Sequence, residues 1–155
     1  MKHQTYVITF IVRPALDSYE FLLARRSDGR YMGGTWQLIS GGLESNETAW
    51  QAALREMHEE TGLTTLELYR LSHVTQFYRS DNDSLNTGIP FCAIVAHDAS
   101  VSLDNENTEY QWMPLEDVRQ QLMWENDQHA FDEICRVILN DGPSKVYQRI
   151  ALPAE

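Results

Sequence analysis

Between Gly41 and Leu63, glutamates and small apolar residues recur at helical spacing behind a Gly-Gly pair, and no other feature of the chain limits its fold so strongly. Residues three and four apart share a helix face, so Glu56, Glu59 and Glu60 form one carboxylate ridge. Left bare, such a ridge repels itself by about 0.2 to 0.5 kcal/mol per i,i+4 pair. Arg55 can pair with one carboxylate, and Glu47, about two turns upstream, projects to nearly the same side. A further positive charge belongs there. All-oxygen donors without Cys or His suit a hard divalent cation, Mg2+ with Mn2+ as the alternative, better than zinc. On the opposite face Ala49, Ala52, Ala53 and Met57, with Trp50 and Leu54 beside them, are apolar and mostly small, so the helix can lie close on a sheet. The pattern predicts a helix over Glu47–Thr61, capped by Ser45 or Asn46 and ended by Gly62. Gly41 and Gly42 predict a tight loop that brings backbone amides near whatever the metal binds. A lone Glu-x-x-Glu-Glu is most often a solvated helix face; the glycines, Glu47 and Arg55 weigh against that reading here.

Patterning on either side places this helix in one α/β domain over residues 1–155. Thr5–Arg13 alternates and is rich in β-branched residues, which predicts a strand, and Tyr19–Arg25 predicts its hairpin partner across a Pro14–Ser18 turn. Thr35–Ile39 predicts a short strand feeding the Gly41-Gly42 loop. Leu66–Tyr78 and Phe91–His97 predict two more strands, joined by the polar segment Arg79–Gly88. Glu109–Met113 predicts a short strand, Leu115–Gln121 a short helix, and Ala130–Leu139 an amphipathic helix with Phe131, Ile134, Cys135 and Ile138 on one side. A disordered tail is expected after Pro153. A chain of 155 residues buries about 70 % of its unfolded surface, enough for a full core.

Twelve Lys and Arg against twenty-three Asp and Glu, a net charge of −11, argue against a nucleic-acid polymer as partner. A small anionic substrate on so acidic a chain needs a metal bridge. With no apolar run long enough to span a membrane and no secretory signal at its start, the chain is expected to be cytoplasmic, without a membrane partner. Cys92 and Cys135 lie far apart without metal-like spacing and are expected as buried thiols.

The Gly41–Leu63 segment resembles the signature of the Nudix hydrolases, G-x5-E-x7-R-E-U-x-E-E-x-G-U with U a bulky aliphatic residue, and matches every specified position: Gly41, Glu47, Arg55, Glu56, Met57, Glu59, Glu60, Gly62 and Leu63. The resemblance implies an α/β/α sandwich around a mixed sheet and cleavage of a diphosphate linkage in a nucleoside triphosphate or related compound. It also implies a loop glutamate ahead of a Trp-bearing strand that reaches the metal or the attacking water. Glu106, upstream of Trp112, is favoured for that role over Glu109. The expected metal ligands are then Glu56, Glu59, Glu60 and Glu106, with Arg55 as the orienting group in the catalytic set. Glu47 and Gly62 support the site. The proton acceptor is Glu56 or Glu106. Arg25 or Arg26 is expected to donate to phosphate, Gly41 and Gly42 to approach the substrate, and Trp36 and Tyr78 are candidates for stacking on a ring, with core packing the competing reading for each.

A narrower resemblance, to bacterial dihydroneopterin triphosphate pyrophosphatases of the same superfamily, rests on Leu22–Arg26, Trp36–Gly41, Glu109–Trp112 and Trp124–Ala130. It makes a pterin triphosphate or a (deoxy)nucleoside triphosphate the candidate substrate, with dinucleoside polyphosphates or sugar nucleotides as the alternative. Gly33-Gly34 lengthens the segment before the signature, a departure from that branch. Isopentenyl diphosphate isomerases share the signature but use an upstream cysteine, and no Cys precedes Gly41. A non-catalytic nucleotide sensor is expected where the carboxylates degenerate; here they are intact. Dimers are common among similar proteins, so a homodimer is a candidate assembly.

Overall fold

The computed structural model describes residues 1–153; the tail expected after Pro153 lies outside the described residues. β1 (Lys2–Ala15) turns directly into β2 (Ser18–Arg26). Ala15 pairs with Ser18 and Pro14 with Tyr19, so the connection is only Leu16 and Asp17, shorter than the expected Pro14–Ser18 turn. Asp17 accordingly takes a φ of 61°, the left-handed conformation that tight hairpins need. Thr35–Ile39 is not one strand. β3 (Trp36–Gln37) pairs with β2, and β4 (Ile39–Gly42), beyond Leu38, pairs with β1. Gly41 and Gly42 therefore belong to a strand instead of the expected loop, facing Val7 and Tyr6 in the ladder.

The helix that follows, α1, spans Ala49–Thr61. It begins later than Glu47 because Thr48 is its cap: the Thr48 hydroxyl accepts from Gln51 N at 3.2 Å, and Gln51 Oε1 accepts from Thr48 N at 2.8 Å. This reciprocal pair satisfies two otherwise orphaned amides. Ser45 and Asn46 lie outside it. Gly62 ends the helix with a φ of 73°, its N–H donating to the His58 carbonyl, a conformation that suits glycine.

β5 (Glu67–Arg70) and β6 (Thr75–Arg79) replace the single strand expected over Leu66–Tyr78. Both pair with β7 (Ser84–Ile94), and the break between them falls opposite Pro90, which has no N–H to donate to a ladder. The segment Arg79–Gly88, expected as a polar connection, holds a tight turn and the first half of β7. Its polar residues are strand residues: Ser84 and Asn86 are buried, and the Asn86 amide donates to Ser84. β8 (Asn107–Pro114) pairs with the far edge of β2. α2 (Leu115–Gln121) follows at the expected place, and α3 (Glu125–Glu133) starts before Ala130 and continues as a π-helical turn, Ile134–Ile138. α4 (Lys145–Gln148) was not expected; four residues carry no readable period.

β1 and β7 run parallel and every other pair antiparallel, giving one mixed eight-stranded sheet. Alternation along β1 sets the layers. Val7 and Ile11 pack with Leu22, Ile39 and the small side of α1, Ala52, Ala53 and Met57. Ile8, Phe10 and Val12 pack the other way with Phe21, Leu23, Val118, Phe131 and Ile134. Burying each such large side chain contributes about 1.5 to 3 kcal/mol. The result is an α/β/α sandwich with α1 alone on one face. Cys92 is buried and Cys135 half-buried, both as free thiols. No helix among the described residues is long and apolar enough to cross a membrane.

Candidate active site

Gly41 positions the carboxylates by what it lacks. A Cβ at this position would overlap the Glu56 carboxyl group, so glycine lets that carboxylate rest against the sheet backbone. Gly42 meets no such neighbour; its carbonyl accepts from Arg55 Nη2 at 2.9 Å. Neither glycine presents a loop of free amides, because β4 is paired with β1.

Arg55 organises the acids around it. Nε and Nη2 grip Glu47 at 3.1 and 2.8 Å, and Nη1 reaches Glu56 at 2.9 Å and Glu59 at 3.2 Å. With the bond to Gly42, these contacts engage all five N–H groups of the guanidinium. Arg55 therefore orients carboxylates and keeps no donor for a substrate. Its grip holds Glu47 below the usual carboxylate range and raises its own proton affinity, Glu47 being the main cause.

The three helix glutamates are not equivalent. Glu59 points outward, its side chain 53 % exposed. Glu56 is half-buried, and burial raises its pKa against the opposing pull of Arg55. Glu60 is buried at 3 % exposure. Its Oε1 accepts from Asn107 Nδ2 at 3.2 Å, while its Oε2 is buried without any partner. Burial, and then the charge of Glu106, lift Glu60 far above the usual carboxylate range. Glu106 lies in the turn entering β8, its N–H bonded to Asp104 Oδ1 at 3.0 Å and its carbonyl to Ser27 N at 2.9 Å. Glu109, by contrast, pairs outward with Arg25 at 3.8 Å.

An orphaned carboxylate oxygen, walled in by other carboxylates, fits a hard cation better than any protein donor on hand. Among the described residues no three His, Cys, Asp or Glu side chains converge closely enough to hold a metal ion as they stand, and Arg55 Nη1 bridges Glu56 and Glu59. The charges of Glu106 and Glu56 act on Glu60, and those of Glu59 and Glu106 act on Glu56.

The expected substrate-binding residues separate. Arg26 Nη2 donates to Ser40 Oγ at 3.0 Å, one residue from Gly41. Arg25 is turned to Thr108, Asp28 and Glu109. Trp36 packs against the core. Tyr78 is exposed and donates to Asp83 at 3.0 Å; no hydrogen bond or ion pair among the described residues joins it to the carboxylates.

Reading the sequence alone missed the other face. A cavity of about 520 Å³ opens between the sheet and α3, lined by Ile8, His73, Thr75, Asn126, Asp127 and Arg136 among others. It lies on the opposite face of the sheet from the α1 acids: Gly41 is against Glu56, whereas Ile8, which pairs with the neighbouring Ser40, lines the cavity. Asp127 has its pKa pushed up to about 6 by burial alone. A signal was present, because Trp124–Ala130 is one of the segments that carries the narrower resemblance.

A model of the NUDIX domain matches residues 2–134. Nudix hydrolase 6 of Arabidopsis thaliana is 30 % identical over 125 residues, 77 % of this chain and 42 % of that protein. Dihydroneopterin triphosphate diphosphatase of Escherichia coli is 29 % identical over 129 residues, covering 73 % of this chain and 83 % of the relative. The chain spans less than half the length of several relatives that it matches. Among solved structures, a Caenorhabditis elegans Ap4A hydrolase binary complex superposes with a TM-score of 0.75 at 21 % identity, over 88 % of this chain and 98 % of that one. With the signature intact and the sandwich in place, the chain belongs to the NUDIX family.

Proposed function

We propose that this protein is a metal-dependent hydrolase that cleaves a diphosphate linkage in a nucleoside-triphosphate-like metabolite. The observation that carries the reading is Glu60: a buried carboxylate with one oxygen unpartnered, beside Glu56 and Glu106. Glu56, Glu60 and Glu106, with the more exposed Glu59, are the residues that would hold Mg2+ or Mn2+. When bound, such a cation offsets phosphate charge and makes water a better nucleophile. Arg55 holds Glu47, Glu56 and Glu59 in place, and Asn107 orients Glu60. Arg26, beside Ser40, is the better placed of the two strand arginines to donate to a phosphate oxygen. Glu56 and Glu106 are the two acids available to take the proton from the attacking water.

The ring of the substrate is assigned to the cavity on the α3 face. Its volume lies within the roughly 300 to 1,000 Å³ usual for small-molecule sites, and Asn126 and Asp127 supply polar groups to a heterocycle. The relation to dihydroneopterin triphosphate diphosphatase and the Trp124–Ala130 segment favour a pterin or purine triphosphate. A dinucleoside polyphosphate is the second reading, favoured by the structural likeness to an Ap4A hydrolase. A panel of nucleoside triphosphates, dihydroneopterin triphosphate, dinucleoside polyphosphates and sugar nucleotides, assayed with metal removed and restored and with products identified, tests both. Pyrophosphate release from a triphosphate supports the first reading. Nucleotide binding without turnover at saturating Mg2+ would leave a sensor and end the hydrolase proposal.

A further inference from the structure

Arg30 lies outside the signature, on the segment between β2 and β3, and it faces the acid that the helix arginine does not reach. Its Nη1 stands 3.7 Å from Glu106 Oε1, the one ion pair that Glu106 makes among the described residues. Arg55 is fully engaged with Glu47, Glu56, Glu59 and Gly42. Arg25 and Arg26 are turned to other partners.

The segment that carries Arg30 is built. Gly29, Met32 and Gly34 take left-handed φ values of 87°, 59° and 80°. Gly33 N donates to the Arg30 carbonyl at 2.8 Å and Gly34 N to that of Arg26 at 2.9 Å. The Tyr31 ring lies 4.1 Å beneath the Arg79 guanidinium, and Asp81 holds Arg79. Ser27 ties this loop to the turn of Glu106, through its N–H to the Glu106 carbonyl and its hydroxyl to that of Asn105. Arg30 and Glu106 are thus presented to each other by backbones that are bonded together.

We infer that Arg30 is a positioning residue shared between Glu106 and the substrate: it holds Glu106 in the free protein and turns to a phosphate oxygen of the bound diphosphate. This rests on the hydrolase reading above. The physical argument is competition. A cation that draws Glu106 must break the Arg30 pair, so Arg30 opposes cation binding. The freed guanidinium then faces an anionic substrate, for which its planar fork is suited. The two effects have opposite signs, which a merely structural role would not produce.

The test uses Arg30→Ala and Arg30→Lys in the full chain. Mn2+ binding to substrate-free protein is followed by the spin-resonance signal of free Mn2+, and kcat and KM are measured on the best substrate of the panel. Arg30→Ala is expected to bind Mn2+ about two- to fivefold more tightly, the worth of a partly exposed ion pair. Its KM is expected to rise about tenfold or more, with kcat changed by less than about threefold. Arg30→Lys, which keeps the charge and loses the fork, should fall between on both measures and carries the test if the alanine variant does not fold. Weaker Mn2+ binding, unchanged Mn2+ binding, or an unchanged KM overturns the inference while leaving an active wild type as a hydrolase. A wild type that neither binds Mn2+ nor turns over any substrate removes the hydrolase reading and this inference with it.

Discussion

Glu60 and Glu133 are both buried, at 3 % and 8 % exposure, and meet opposite surroundings. Glu133 ends α3 and is satisfied on both oxygens: Ser72 N donates at 3.1 and 2.9 Å, Ser72 Oγ at 2.8 Å and Gln148 Nε2 at 2.8 Å. Gln148 Nε2 also reaches the Arg70 carbonyl at 3.0 Å. One acid therefore ties α3, the β5–β6 connection and α4 into a single corner. Glu60 has Asn107 and otherwise other acids. Burying a carboxylate is costly unless hydrogen bonds or a counter-charge compensate. The contrast separates an acid that the fold satisfies on both oxygens from one that it leaves short of a partner.

Substitution at the two positions should break that contrast or sharpen it. Glu60→Gln is expected to lower kcat by at least about a hundredfold, as loss of a metal-orienting carboxylate does, while circular dichroism stays native. Full activity at saturating Mg2+ would place Glu60 with Glu133 as a structural acid. Glu133→Ala should do the reverse. It strands Ser72 and Gln148 donors, so denaturant unfolding should show a loss of about 2 to 3 kcal/mol, and because Glu133 also lines the cavity on the α3 face, kcat of the folded fraction should fall far less than in Glu60→Gln.

Asp127 is the intermediate case, half-buried with no salt-bridge partner among the described residues. Its pKa rises from an ordinary 3.8 to about 6, so the folded state holds this proton more tightly than the unfolded state does. Stability from this group is therefore lost as pH climbs from about 4 to 6, and the deficit persists above that window. Asp127→Asn should raise the melting temperature at pH 7 by the equivalent of about 1 kcal/mol, less than the full two-unit shift implies because the carboxyl is partly solvated. The gain should vanish below about pH 4; an equal gain at both pH values would show that charge burial is not its cause. The smallest effect belongs to Thr48→Ala, which removes the capping box and should cost about 1 kcal/mol by thermal melting without altering kcat.

Legibility followed locality. The carboxylate spacing, the small apolar stripe and the stop at Gly62 are properties of one helix, and the hairpin of β1 and β2 lies between neighbours in the chain. The cap was legible too: Thr48 and Gln51 stand at capping-box spacing, but the polar residues just upstream drew the assignment away. The break between β5 and β6 was not legible from Leu66–Tyr78, because its cause is Pro90 in a strand that pairs later. Polar Ser84 and Asn86 obscured the first half of β7, since they bond to each other inside the sheet. The cavity combines β1, the β5–β6 connection and α3, which share no period.

By itself the sequence determined that one acidic helix, backed by small residues and followed by glycine, would carry its carboxylates on one side, because i, i+3 and i+4 proximity is intrinsic to a helix. Tertiary structure alone decided which of those acids would be buried, that Gly41 would clear room for Glu56, and that Arg30 would meet Glu106. Those outcomes depend on which strands pair and which atoms lose water, and neither is encoded in the spacing of any single segment.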